Sequence, residues 1–183
     1  MVIKIGFCRN KHWWAIFSYL IRWVDFKDAS HCYLEFVTDN GPWIVESVYP
    51  RGRIMHKSNW IKSYEPVYEF QFATSHDPEE VFKWAEIVIK NKEYSLWQNF
   101  IIGLTIVFNK AFSNLENKEL NGRKSVNCTE VVAQFIEDWL KTDVMESLDN
   151  MSIAELYDIC SKLPWEKTNG TFSNNRSGLV GPS

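Results

Sequence analysis

No stretch of this chain is apolar for long enough to cross a bilayer. The longest apolar run, residues 100–108, falls far short of the roughly 20 residues that a spanning helix needs, so it reads as a buried helix. Export is not expected either: Met1-Val2-Ile3-Lys4-Ile5-Gly6-Phe7 alternates like a strand and lacks the basic-then-apolar order of a secretory leader. Without secretion, the sequons Asn127-Cys128-Thr129 and Asn150-Met151-Ser152 carry no weight. Cysteine is sparse. The four, at 8, 32, 128 and 160, form no CxxC pair and no disulfide framework, and they read as separate thiols in a reducing, cytoplasmic setting. A zinc site from Cys8, His12, His31 and Cys32 lacks the usual ligand spacing, so no metal and no organic cofactor is expected. Basic charge is not concentrated either. With 20 Lys and Arg against 23 Asp and Glu, a net charge of −3, and a basic stretch at residues 51–62 broken by apolar side chains, a nucleic-acid partner is not expected. No internal repeat is evident.

Apolar and aromatic side chains are abundant. A chain of 183 residues that is 45% hydrophobic can form one domain with a substantial core, needing neither disulfides nor metal. Nine tryptophans and twelve phenylalanines imply a bulky core or an apolar groove, and composition does not separate the two. The domain is expected over residues 1–166, followed by a polar, disorder-like tail over 167–183 that is left out of the fold.

Along the chain, Trp13, Ile16, Phe17, Leu20 and Val24 recur at helical spacing. A polar turn then delivers a strand from His31 to Val37, and Asp39-Asn40-Gly41-Pro42 turns it back into Trp43-Ile44-Val45-Glu46-Ser47-Val48. Residues 51–56 and 67–72 read as further strands, and the short connections imply an antiparallel sheet. Asp77-Pro78-Glu79-Glu80 combines a cap, Pro at the first helical position and an early Glu, and Val81, Trp84, Ala85, Val88 and Ile89 form one stripe behind it. A polar loop at residues 114–126 leads into a helix carrying Val131, Val132, Phe135, Ile136, Trp139 and Leu140. Ser152-Ile153-Ala154-Glu155 is a capping box for a last helix that Pro164 ends.

Cys128 opens the helix that follows the polar loop. Unpaired N–H groups and the macrodipole at a helix start favour a thiolate, which is the nucleophilic form of cysteine. Such a nucleophile needs a base. His31 stands at the head of a strand, and cysteine and histidine need to meet only in space. Glu46 on the returning strand is placed to pass close to His31 and orient it, with Glu35 and Asp39 as alternatives. Cys32, next to His31, is expected on the opposite strand face and outside the site. Plainer readings stand beside these: Cys128 as a small buried hydrophobe, His31 as a satisfied core histidine, Glu46 as an exposed strand carboxylate, and His12, His56 and His76 as surface residues.

Taken in order, Ile21-Arg22-Trp23 before Ser30-His31, Val45-Glu46-Ser47, Gly52-Arg53-Ile54, Lys92-Glu93-Tyr94-Ser95, Asn127-Cys128-Thr129-Glu130 and Ser152-Ile153-Ala154-Glu155-Leu156-Tyr157 resemble a known family. The chain resembles a circularly permuted papain-like cysteine hydrolase of the NlpC-related group, which includes YiiX-like proteins and, more distantly, lecithin retinol acyltransferase. The matching pieces span about residues 3–160. Two positions depart from the family pattern: Thr129 stands where Ser is usual, and Ser95 follows Tyr94 where related chains often carry an acidic residue.

The resemblance implies an α+β papain-like fold, an antiparallel sheet packed against helices. It also implies Cys128 as nucleophile, His31 as general base and later acid, and Glu46 as the residue orienting the imidazole. For the oxyanion it implies the Cys128 backbone N–H and, by similarity to the family's Tyr motif, Tyr94. The expected activity is that of a peptidase- or amidase-type hydrolase, cleaving an amide, isopeptide or ester bond of a peptide-like or acylated substrate through an acyl-thioester. A catalytically inactive papain-like binding module is the alternative from another class. Acyl transfer by the same thiol is a third. The residues from Trp97 to Phe108 read either as a core helix or as the lining of an acyl-chain groove.

Overall fold

The computed structural model describes residues 1–12, 22–23, 28–48, 51–90, 127–140 and 151–169. The helical pattern around Trp13 to Leu20, the segment bearing Tyr94, the apolar run and the loop before Cys128 lie outside the described residues.

Six strands form one antiparallel sheet: β1 (Val2–Asn10), β2 (His31–Thr38), β3 (Gly41–Val48), β4 (Arg51–His56), β5 (Tyr64–Ala73) and β6 (Glu166–Asn169). Their spatial order is β4-β3-β2-β1-β5-β6. The chain is therefore α+β, because helices α2 (Pro78–Ile89), α3 (Cys128–Leu140) and α4 (Ile153–Lys162) share one core with this sheet. A fourth helix, α1 (Lys57–Trp60), is a single turn between β4 and β5. No described helix is long and apolar enough to cross a membrane.

Strand alternation sends side chains to two different environments. Ile3, Ile5 and Phe7 of β1 join Cys32, Leu34 and Phe36 of β2, Val45 of β3 and Phe70 of β5 in the core that α2, α3 and α4 cover. On the other face, Cys8, Tyr33 and Ile44 form a second buried cluster with Trp60 of α1. That face also buries charge: Lys57 donates to Glu35 at 2.5 Å and to Glu69 at 3.1 Å, and Tyr33 donates to Glu69 at 2.8 Å. Burial of these carboxylates is tolerated because each has a cationic partner. Gly6 is what lets Tyr33 lie flat across β1: a Cβ there would stand 2.0 Å from the Tyr33 ring carbon Cζ.

The β2–β3 hairpin turns at Asp39-Asn40, with Thr38 opposite Gly41. Gly41 has φ of +102°, a conformation that side-chain-bearing residues rarely adopt. In β5 the expected strand is longer by several residues, reaching back to Tyr64 past a bulge at which Phe7 faces Tyr68 but Cys8 faces Pro66. Pro66 lacks an N–H, and a bulge is where a strand tolerates that loss.

The helix starts follow their local chemistry. Asp77 accepts from the Glu79 N–H ahead of Pro78, and Ser152 and Glu155 form a complete capping box. Leu163 leaves helical geometry with ψ of 152°, as a residue before proline must. One boundary needs correction. Residues 167–169 belong to the sheet, since Phe70 pairs with Lys167 and Tyr68 with Asn169. Their polar composition suits an edge strand as well as it suits a tail.

Candidate active site

The start of α3 is built by Asn127. Its side-chain oxygen accepts from the Glu130 N–H at 2.9 Å, and the Glu130 carboxylate returns the bond to the Asn127 N–H at 3.1 Å. This reciprocal capping leaves Cys128 as the first helical residue, where backbone N–H groups lack intrahelical partners. The Thr129 hydroxyl donates to the Met151 carbonyl at 2.8 Å, tying this helix start to the residue just ahead of the α4 cap.

His31 is the first residue of β2, and its carboxylate partner comes from the adjacent strand β3. The register that places Leu34 opposite Val45 puts Tyr33 opposite Glu46, so His31 and Glu46 are diagonal neighbours on one face. Their side chains meet: His31 Nε2 lies 2.8 Å from Glu46 Oε2. Glu46 is almost wholly buried, at 1% exposure. Its second oxygen accepts from Arg53 Nε at 2.7 Å and lies 2.6 Å from Nη2 in an ion pair, Arg53 being the residue directly opposite on β4. Trp60 Nε1 of α1 adds a bond to Oε2 at 2.9 Å. The Tyr64 ring stacks on Trp60 at 5.2 Å and lies 5.6 Å from the His31 ring.

With Nε2 committed to Glu46, the other ring nitrogen, Nδ1, is left for the thiol. The His31 ring and the Cys128 thiol, both buried, are close enough for each to act on the ionisation of the other. Cys32 shares the buried core with Cys128 and is also close enough to influence its ionisation. Cys32 faces the helix-covered core, as strand alternation requires, and that core is where Cys128 lies. Alternation separates directions along a strand, but Cys128 sits where β2 begins and α3 packs over it. The terminal His31 and the helix-facing Cys32 both reach the sulfur there.

The charges follow from these contacts. The neighbouring Cys32, together with the charge of His31, holds the Cys128 thiol well below its ordinary 9.0 in spite of burial. Burial disfavours the His31 cation, yet the Cys128 sulfur and the Glu46 carboxylate outweigh it and raise the imidazole to about 10. Burial also pushes the Glu46 carboxyl up, but His31, Arg53 and Trp60 reverse this and hold it below its usual range. At neutral pH these directions describe a thiolate–imidazolium pair backed by a carboxylate. The remaining thiols differ: burial raises Cys8, Cys32 and Cys160 above the ordinary value.

Of the sequence-predicted residues, Cys128, His31 and Glu46 converge, while Tyr94 lies outside the described residues. The alternatives for Glu46 stand elsewhere. Glu35 is engaged by Lys57 and Lys4, and Asp39 sits in the hairpin turn at the opposite end of β2 from His31. His56 caps α1 and His76 is exposed against Trp139. No group of three or more His, Cys, Asp and Glu among the described residues can hold a metal ion.

Sequence reasoning missed Trp60 and Tyr64 altogether. A four-residue helix carries no period to detect, and an indole N–H gives no sign in sequence of what it will bond. The roles of Arg53 and Cys32 were open to inference only through register. Comparisons with protein-family models, curated protein sequences and solved structures return no match.

Proposed function

We propose that this protein is a cysteine-dependent acyl hydrolase with a papain-like domain in permuted order, the His strand preceding the Cys helix. The observation that carries the reading is the continuous relay from the Cys128 thiol through His31 to Glu46, closed by the 2.8 Å bond between the last two. A nucleophile is recognised by its base and by the group that orients that base, and here all three are present.

In this reading the Cys128 thiolate attacks the carbonyl carbon of an amide, isopeptide or ester. The negative charge that develops on the carbonyl oxygen is met by the Cys128 backbone N–H at the start of α3, with Tyr94 proposed as the second donor. Collapse expels the amine or alcohol, which takes its proton from the His31 imidazolium and leaves an acyl-thioester on Cys128. His31, now neutral, takes a proton from water as the water attacks, and the thiolate departs with the acid product released. Glu46 keeps the ring in one orientation and stabilises its charged form throughout. No cofactor is needed for any step.

A specific observation favours a second reading, the silent binding module: Cys128 and His31 are each only 7% exposed. Intact-mass spectrometry after incubation with a p-nitrophenyl acyl ester separates the two. An acyl adduct confined to Cys128 and absent in His31→Ala supports the enzyme. Adducts spread equally over Cys8 and Cys160, or none at Cys128, would sink it. Repeating the reaction with an added amine or alcohol distinguishes hydrolysis from acyl transfer by the product formed.

A further inference from the structure

We infer that Arg53 and Trp60 are positioning residues for this site: together they clamp Glu46 so that one carboxylate oxygen is presented to the His31 ring. The inference rests on the reading of Cys128 and His31 given above, and it adds the residues that make Glu46 able to serve them.

Glu46 is buried, and an isolated carboxylate there would shed its charge by taking a proton. A protonated carboxyl would still bond to the imidazole, but it would not favour the imidazolium. The donors from Arg53 and Trp60 prevent this, and they divide the carboxylate between them. Arg53 takes Oε1 from the facing strand with a charge-assisted bond from Nε and an ion-pair contact from Nη2, which holds that oxygen away from the ring. Trp60 shares Oε2 with His31. With both oxygens tied, the carboxylate cannot rotate away from the ring.

Trp60 is itself held from several sides. Its ring stacks on Tyr64 with an interplanar angle of 14° and meets Tyr33 at 4.5 Å, so the direction of its N–H is set by packing. The turn that carries it is pinned to the sheet by Lys57, which bonds to both Glu35 and Glu69. The charge cluster on this face, far from the sulfur in sequence, therefore acts on the site through α1. Arg53 reaches Glu46 from a half-exposed position, its side chain 41% accessible, so its charge can be changed without opening the core.

The test is the pH profile of Cys128 alkylation by iodoacetamide, measured at the peptide level in the full chain. Removing either donor lets Glu46 protonate at higher pH and weakens the imidazolium. The acid limb of the profile should move up by about one pH unit in Arg53→Met and in Trp60→Phe, with roughly a tenfold lower rate on the acid side. Arg53→Lys, which keeps the cation, should recover most of the shift, whereas a purely structural effect would not be rescued by charge. A limb that stays in place in both variants, while His31→Ala still moves it, overturns the positioning role and leaves the nucleophile reading intact. A profile that His31→Ala does not move overturns the reading of the site itself. Should Trp60→Phe fail to fold, as judged by circular dichroism, the Arg53→Met and Arg53→Lys pair decides.

Discussion

Helices α3 and α4 begin in much the same way, yet only one beginning is chemically armed. Asn127 and Glu130 exchange capping bonds at the first, Ser152 and Glu155 at the second, and the next residue in each case opens the helix toward the core. Both starts present orphan N–H groups and the positive end of a dipole. At α4 the first helical residue is Ile153, packed among apolar neighbours. At α3 it is Cys128, with His31 and Cys32 against the sulfur. A helix start contributes only a modest stabilisation of a nearby anion, on the order of 1 kcal/mol. The deeper depression of the Cys128 thiol comes from the side chains that β2 delivers. Cys160, buried in α4 away from any base, is pushed in the opposite direction.

The strongest way to break this contrast is to remove the base. In His31→Ala, Cys128 should revert to an ordinary or raised thiol, and its alkylation rate at pH 7 should fall by about 30-fold, the thiolate fraction lost when a group ionised at neutrality returns to a pKa near 8.5. Peptide-level iodoacetamide labelling reads this directly, and an unchanged rate would mean that the helix start and Cys32 arm the sulfur without the base. The converse experiment plants a thiol at the other helix start. Ile153→Cys in a Cys128→Ser background should show no fast labelling near neutrality, because a cap without a base does not ionise a buried thiol; fast labelling there would erase the difference between the two starts.

Proton linkage sharpens the comparison further. His31 has its affinity for a proton raised from 6.5 to about 10 on folding, so its stabilising contribution is fully present below 6.5 and is lost as pH rises through about 10. The gap in thermal midpoint between the wild type and His31→Gln should therefore be wide at pH 6 and narrow above pH 10. Glu46 has the opposite sign: its contribution is present above 4.5 and is lost as pH falls through its lowered value. A gap that widened in alkali would contradict the cationic state of the ring.

The smallest effect concerns the caps themselves. Asn127→Ala and Ser152→Ala should each cost about 1 kcal/mol of stability in urea unfolding. They should differ in consequence: the first displaces the start of α3 and slows Cys128 alkylation, while the second leaves it unchanged. Equal effects on the thiol would show that the site does not depend on where its helix begins.

Much of this arrangement was legible from local chemistry. The Asp39-Asn40-Gly41 turn fixes a two-residue connection, and with Thr38 opposite Gly41 the count along both strands brings Glu46 diagonally to His31. The capping residues at 77 and 152 mark helices that begin there. Other parts were not legible. Residues 167–169 have the composition of a tail, and only the open edge of β5 makes them part of a strand. The single-turn helix carrying Trp60 is too short for periodicity to show, so the third partner of Glu46 was invisible. Strand alternation placed Tyr33, Leu34 and Cys32 correctly, but it could not show that Cys128 lies at the end of the strand, within reach of both His31 and the helix-facing Cys32.

By itself the sequence determined which side chains are available and how each segment is patterned: a thiol at a helix start, an imidazole at a strand head, a carboxylate one hairpin away, and the turn that sets their register. Only the tertiary structure decided that helix α3 would pack with its first residue over the first residues of β2, and that β4 and α1 would both close on Glu46. The reason is physical. Backbone propensity and hydrophobic period act over a few neighbouring residues, whereas the ionisation of a buried thiol depends on the charges within a few ångströms, and those arrive from positions almost a hundred residues apart.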